Sequence, residues 1–385
     1  MEDIIFPKLF LWGANSPPFS HSFFNPENDV TEFKKNISNK IDLINSLNVN
    51  SFRFALNWND LINDSSRSIK KYNYFIDLLI QNNLEPIINI FDFDFFQIKF
   101  NDDNFLSFIL DICKKMFYDF GNKIQFYSVL NNPMKFLKVT YLYNNISDFS
   151  TLSNLFERVI QFYEKVYNII KLSNSLAKVS ISEDLYFNLN ETFSFNQGKT
   201  KIKSNEFYFS MFDSLINGKS PFFILEDNIH YDIDFIGLNF NEFAYFPSDE
   251  YAGLLTGFKT DSNKEYDKQS YTHFKDILER CSEDYDIPIL ITENSIGEDL
   301  NTLKINSLID NIYQVNDSIS KKNCKIFGYI YNSLTDFKVN NHSIKNGLYE
   351  INFKYNDYIP RNFAKIYSNI AKTNSITENY LKFIN

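Results

Sequence analysis

Short runs in which nearly every residue is apolar alternate along this chain with longer stretches whose apolar residues recur every three to four positions. The short runs are Phe10–Ala14, Ser51–Leu56, Pro86–Phe91, Ile124–Leu130, Lys178–Ser182, Asp234–Leu238, Ile289–Thr292 and Lys325–Ile330. Such continuous runs predict strands covered on both faces, as parallel strands are. Between them, Ile69–Gln81 sets Tyr72, Phe75, Ile76, Leu79 and Ile80 at helical spacing and predicts one buried helix face. Asn104–Phe117, Leu155–Leu172, Ser270–Arg280 and Thr302–Ile319 repeat that pattern. Strands alternating with helices in this way predict an α/β fold, a single (β/α)8 TIM barrel domain over residues 1–385. No solenoid-length repeat and no Gly/Ser-rich or Pro-rich linker divides the chain. Residues 190–233, with Gly198 and Asn217-Gly-Lys219, are the least regular stretch and predict an extended connection between the fifth and sixth strands.

Composition narrows this picture without changing it. A barrel of this kind takes about 250 residues and tolerates long insertions, so one domain accommodates all 385. Hydrophobic residues at 44% against charged residues at 22% describe a globular chain rather than a disordered one. The formal net charge of −10, with no long basic run, argues against nucleic acid as a partner. Cys113, Cys281 and Cys324 stand alone, which predicts buried thiols rather than disulfides or a metal site. The start Met1-Glu2-Asp3 is acidic, and Pro7 and Lys8 interrupt the apolar residues after it, unlike a secretory signal. No stretch approaches the ~18 apolar residues of a membrane span, so the expectation is a cytoplasmic protein with no membrane partner. Nothing in the sequence predicts its oligomeric state.

In parallel barrels the chemistry lies at the C-terminal ends of the strands, so the polar residues that end each strand are the candidates. The seventh strand ends in Thr292-Glu293-Asn294, which sets a carboxylate at the mouth. The second carries Arg53 within an apolar run, where a permanent cation needs an anionic partner, and Glu293 is the natural one. A buried Arg–Glu pair with no chemistry fits these two residues as well. The fourth strand ends in Asn131-Asn132 and the sixth in Asn239, amides suited to sugar hydroxyls. Asp92 and Asp94 follow the third strand, Glu183 and Asp184 the fifth, and Asp336 the eighth, so the mouth is expected to be polar and mostly acidic. The four histidines form no metal-ligand spacing, and neither GxGxxG nor a Walker loop occurs, so no cofactor and no metal are expected.

The order of these motifs resembles glycoside hydrolase family 1. Phe10-Leu-Trp-Gly-Ala14 is similar to its opening FLWG(A/T), Phe52-Arg-Phe-Ala-Leu-Asn-Trp58 to FRfSisW, and Leu84-Glu-Pro-Ile-Ile-Asn-Ile-Phe91 to gIePlvTLy. Leu130-Asn-Asn-Pro133 sits where the family has TlNEP, and Asn217-Gly-Lys-Ser-Pro221 resembles its GkYP segment. Asp234–Asn239 is similar to DFiGlN, Ile291–Asn294 to ITEN, and Gly328–Leu334 to GYfyWSL. The resemblance spans almost the whole chain and implies retaining hydrolysis of β-glycosides by two carboxyl groups. It makes Glu293 the nucleophile, Arg53 its cationic neighbour, Asn131 the contact to the hydroxyl beside the anomeric carbon, and Asn239 a support of that subsite.

Several positions depart from the family. Asn132 replaces the acid/base glutamate, Ser20 a sugar-binding glutamine, and Asp92-Phe93 a His-Trp pair. Asn241 replaces the tyrosine that steadies the nucleophile, and Asn332 the tryptophan of WSL. The glutamate that follows in the family has no counterpart among Phe337, Lys338 and Val339. Plant myrosinases of that family also carry an amide at the acid/base position and act on substrates with good leaving groups. Two expectations follow. One is a retaining β-glycosidase or transglycosidase for a carbohydrate with a good leaving group, its substrate held by Arg53, Asn131, Asn132, Asn239, Asp92 and Asn332. A displaced carboxylate, from Glu183, Asp92 or Asp94, would stand in for the missing acid. The other is a pseudoenzyme, an inactive barrel that binds a carbohydrate, a glycoside or a protein. Phe93, Phe95, Phe96 and Phe240 filling the mouth would favour the second.

Overall fold

A computed structural model describes residues 3–16, 30–92, 102–143, 148–195, 199–220, 223, 232–242, 272–296, 301–339, 342–352 and 357–384. Eight parallel strands close into a barrel: β1 (Leu11–Asn15), β2 (Ser51–Ala55), β3 (Glu85–Phe91), β4 (Phe126–Asn131), β5 (Lys178–Asp184), β6 (Ile236–Glu242), β7 (Ile289–Ile296) and β8 (Ile326–Tyr331). Each pairs with the next along the chain, and β8 returns to β1 with Gly328 opposite Leu11. All eight predicted runs became barrel strands. The largest differences are at β6 and β7, which continue to Glu242 and Ile296. Their polar ends were invisible to an apolar pattern, yet they pair in register, Glu293 with Asn239 and Ser295 with Asn241. A register shift between Ile291 and Glu293 turns β7, so that Thr292 and Glu293 both reach groups at the mouth.

Around the strands lie α1 (Val30–Ser46), α2 (Ser65–Gln81), α3 (Asp103–Phe120), α4 (Pro133–Tyr143), α5 (Phe149–Ser173), α6 (Ser204–Asn217), α7 (Phe274–Tyr285), α8 (Asn301–Lys322) and α9 (Asn362–Thr373). Local chemistry starts several of them. The carboxylates of Asp64, Asp102 and Asp148 accept the first free amides of α2, α3 and α5, a cap worth about 1 kcal/mol each. Pro133 opens α4, where its missing N–H costs nothing. On α2 the predicted stripe is buried at Tyr72, Phe75, Ile76 and Leu79. Ile80, at the edge of that stripe, is 43% exposed instead. Phe75 packs on Phe52 and Phe54 of β2, and burying such a ring contributes about 1.5–3 kcal/mol.

The connection from β5 to β6 is more regular than its composition suggested. Thr192–Phe195 and Thr200–Lys203 form a hairpin that runs into α6. Phe207, Tyr208, Phe209, Met211, Phe212 and Leu215 of α6 are all buried together with Ser204, Ser210 and Ser214, so its polar face is narrow, marked by Glu206, Asp213 and Asn217, and its periodicity was hidden.

Side chains alternate between the barrel axis and the helix layer. At the lower end of the axis, Ile87, Phe235, Leu290 and Ile330 form an apolar plug with Leu11, Phe126 and Phe327. Above it small residues prevail, and the hydroxyls of Ser128 and Ser182 meet at 2.8 Å. A side chain at Gly237 would come within 2.4 Å of the Ile181 carbonyl, so only glycine lets β5 and β6 approach here. Polar side chains gather above this layer. Cys113, Cys281 and Cys324 are free and buried. Among the described residues no helix is long and apolar enough to cross a membrane.

Candidate active site

Glu293 lies at the centre of the mouth, and each of its oxygens accepts two hydrogen bonds. Arg53 Nη1 donates to Oε1 at 2.6 Å and Asn131 Nδ2 at 3.3 Å. Asn241 Nδ2 and Asn332 Nδ2 donate to Oε2 at 3.0 and 3.1 Å. Arg53 is 1% exposed and Glu293 7%, so their charges compensate each other out of water. The Nε of Arg53 is buried and has no hydrogen-bond partner among the described residues.

The amides are fixed in turn. Asn131 accepts from Arg53 Nη2 at 3.1 Å and from Asn239 Nδ2 at 2.9 Å. Asn239 accepts from Thr292 Oγ1 at 2.8 Å, and Asn241 from Ser295 Oγ at 2.9 Å. Asn332, which precedes a cis peptide bond to Ser333, accepts from Asn15 Nδ2 at 3.3 Å. Asn294 turns the other way and anchors β7, accepting from Tyr329 and Asn311. A chain of oriented amides therefore surrounds one carboxylate.

Asp92 stands on one side of Glu293. Its Oδ1 accepts from Asn89 Nδ2 at 2.9 Å and from Asn131 Nδ2 at 2.7 Å. Because Asn131 Nδ2 also reaches Glu293 Oε1, the two carboxylate oxygens lie no more than 6.0 Å apart, the sum of 2.7 and 3.3 Å. Burial and then the negative charge of Glu293 push the Asp92 carboxyl above its usual range.

Asn132 stands on the other side. It adopts φ 58°, in the left-handed region that asparagine enters more readily than most residues. Its Oδ1 accepts from Asn239 Nδ2 at 3.0 Å, and its carbonyl accepts from Phe136 N at 3.1 Å in the first turn of α4. Lys135, three residues on, is half-buried, and burial lowers its pKa while Asp184, Glu183 and Glu293 raise it.

The fifth strand corrects one expectation. Glu183 does not enter the mouth: it alternates with Val179 and Ile181 toward the helix layer, fully buried, and accepts the Met134 amide of α4 at 2.8 Å. Burial pushes its carboxyl well above the usual range. Asp184, one residue later, shares the inward side of β5 with Ser180 and Ser182. It sits beside Asn239 in the β5–β6 register, and its carboxyl accepts from the backbone N–H groups of Asn241 and, at 3.3 Å, Tyr186. Burial, opposed by Lys135 and helped by Glu293, pushes it from 3.8 to about 7. Strand alternation could have separated Glu183 from Asp184, because Ser180 and Ser182 lead inward to position 184.

Asp336 also leaves the mouth. Arg361 grips both its oxygens at 2.7 Å, and the Gly347 amide donates to Oδ1 at 3.0 Å. Phe240 is 1% exposed in the helix layer against Tyr186 and Phe274 and does not fill the mouth. Asp94, Phe93, Phe95, Phe96 and Ser20 lie outside the described residues. The geometry thus unites Glu293, Arg53, Asn131, Asn132, Asn239, Asp92 and Asn332, and adds Asn241, Asp184 and Lys135. Among the described residues no cluster of His, Cys, Asp and Glu is arranged to hold a metal ion.

Known proteins resemble this chain in sequence over part of its length and in fold over nearly all of it. Residues 23–186 match the model of Glycosyl hydrolase family 1. Beta-glucosidase 32 of Arabidopsis thaliana is 30% identical over 145 residues, 31% of this chain and 27% of its own length. A 1,4-beta-D-glucan glucohydrolase of Thermotoga neapolitana is 20% identical over 293 residues, 61% of this chain and 68% of its own. With several of these relatives the match spans only about a quarter of their length. A solved family 1 β-glucosidase of Thermotoga maritima superposes with a TM-score of 0.73 at 18% identity, over 98% of this chain and 100% of that one. At that identity the likeness establishes the fold.

Proposed function

We propose that this chain is a divergent family 1 retaining β-glycosidase or transglycosidase, with Glu293 as nucleophile and Asn132 in place of the usual acid/base. The observation that carries this reading is the environment of Glu293. A carboxylate at the C-terminal mouth of a parallel barrel faces Arg53 at 2.6 Å, and a second carboxyl oxygen, on Asp92, lies no more than 6.0 Å away. Retaining glycosidases pair such a nucleophile with a second carboxyl group nearby, and Asp92 and Asp184 both share this mouth. Asn131, Asn239 and Asn332 present amides of the kind that hold sugar hydroxyls. A glycoside with a good leaving group suits the site, because an amide at position 132 cannot shuttle a proton.

A second reading rests on one specific feature. Both oxygens of Glu293 already accept two hydrogen bonds, and the residue is 7% exposed, as a purely structural carboxylate would be. In that case the barrel binds a carbohydrate without cutting it.

Incubation with 2-deoxy-2-fluoro β-glycosides carrying dinitrophenyl leaving groups separates the two, because their first step needs no general acid. The panel covers glucose, galactose, mannose, fucose and 6-phospho sugars. Intact-protein mass spectrometry is expected to find a glycosyl adduct that maps to Glu293 and disappears in Glu293→Gln. No adduct with any member of the panel favours the binding barrel.

A further inference from the structure

Given Glu293 as nucleophile, on which this step rests, we infer that Asp184 supplies and recovers the proton that Asn132 cannot. Three observations place it there. Asp184 ends β5 on the inward side, opposite Asn239 in register. Asn239 touches the Asn132 side chain at 3.0 Å, so Asp184 flanks the same edge of the mouth as the missing glutamate. Asp92 follows β3, on the other side of β4 from Asp184, and its Oδ1 accepts from the side-chain amides of Asn89 and Asn131.

The groups around Asp184 suit a proton donor. The backbone N–H of Asn241 on β6 and that of Tyr186, at 3.3 Å from Oδ1, orient its carboxyl, Lys135 faces it from α4, and Glu293 faces it from β7. The pair of opposite charges pulls in opposite directions, and burial outweighs both, leaving a carboxyl that titrates near pH 7. Glu293, by contrast, is flanked by Arg53 and three side-chain amide donors.

In the first step, Glu293 bonds to the anomeric carbon while the bond from that carbon to the leaving oxygen breaks. That oxygen keeps the electron pair and takes the proton of Asp184, releasing an alcohol. In the second step, water bonds to the anomeric carbon and gives a proton to the Asp184 carboxylate. The ester bond to Glu293 breaks, and its electron pair returns to the carboxylate. An acceptor hydroxyl in place of water gives transglycosylation with the same balance.

The test uses the full-length protein and whichever sugar labels Glu293 in the fluoroglycoside panel. Asp184→Asn is expected to lose about 10²–10⁴-fold in kcat/KM on aryl glycosides with poor leaving groups. It should lose little on the dinitrophenyl glycoside, and retained labelling of Glu293 shows that the variant is folded. Azide should then accelerate Asp184→Asn, but not the wild type, and yield a β-glycosyl azide. In the wild type, kcat/KM should fall as pH rises through about 7, where the acid loses its proton. Lys135→Met removes the cation that holds this value down and should move that limb to higher pH. Equal azide acceleration of wild type and Asp184→Asn, or an unchanged dependence on the leaving group, overturns the assignment while leaving Glu293 as nucleophile. Absence of labelling with every sugar overturns both.

Discussion

Among the described residues, two arginines pair with buried carboxylates at the upper end of this barrel, and the two pairs are built differently. Arg361 grips Asp336 with two parallel bonds of 2.7 Å and also donates to the Gly347 carbonyl. This clamp joins the segment after β8 to the start of α9. Arg53 reaches Glu293 with one nitrogen and Asn131 with the other, and its Nε finds no partner among the described residues. The first pair is closed on itself and ties backbone together. The second is open, and it spreads its hydrogen bonds over the amides of Asn131, Asn241 and Asn332, from three other strands and strand ends. A bidentate pair of the first kind is a staple. A carboxylate ringed by amides, with donor capacity left over, is the arrangement expected of a place where a ligand competes for those donors.

Removing the cation from each pair should separate the two roles. Arg53→Ala and Arg361→Ala each strand a buried carboxylate, and each is expected to cost about 3–5 kcal/mol in urea unfolding. They should part on chemistry. Below its melting temperature Arg361→Ala should label Glu293 with the fluoroglycoside at the wild-type rate. Arg53→Ala should slow that labelling on the order of 10²-fold. Equal labelling by both variants would make the Arg53 pair a second staple.

A smaller effect is expected on the Asn132 side. In the Asp184→Asn background, Asn132→Glu should restore turnover of poor leaving groups toward the wild-type rate. In the wild type it should add less than about tenfold, since two groups that do one job do not add. A glutamate held at φ 58° should also cost about 1–2 kcal/mol of stability. A large gain in both backgrounds would show that Asp184 gives no proton.

A separate effect is a dependence of stability on pH. The Asp184 carboxyl is raised in the folded state from 3.8 to about 7. Its stabilisation is therefore complete below about pH 4 and is lost as pH rises through about 7, because the folded state binds the proton more tightly. Asp184→Asn should gain stability relative to the wild type across that window. A difference that stays flat from pH 4 to 8 in urea titrations would place Asp184 in open solvent.

Much of this was legible in the residues themselves. Eight apolar runs declared the strands because a parallel strand buried on both faces has little choice of composition. Glu293, Arg53, Asn131, Asn132, Asn239 and Asp92 were candidates because each is a polar group at a strand end or inside an apolar run, where such groups are costly. The helix α6 was not legible, because serines are buried among its aromatic residues and leave only a narrow polar face, which blurs the helical period.

What the sequence determined by itself was therefore the barrel and the set of polar residues eligible for its mouth. Only the tertiary structure decided which of them meet. It sent Glu183 under α4 and Asp184 to the axis, gave Asp336 to Arg361, and brought Asn241 and Asn332 onto Glu293. The physical reason is that strand composition reports burial, a property of each residue alone. Partnership depends on register, on which side of a strand a residue faces, and on the shift in β7 that aims Glu293 at Arg53. Those are settled by pairing between segments far apart in the chain.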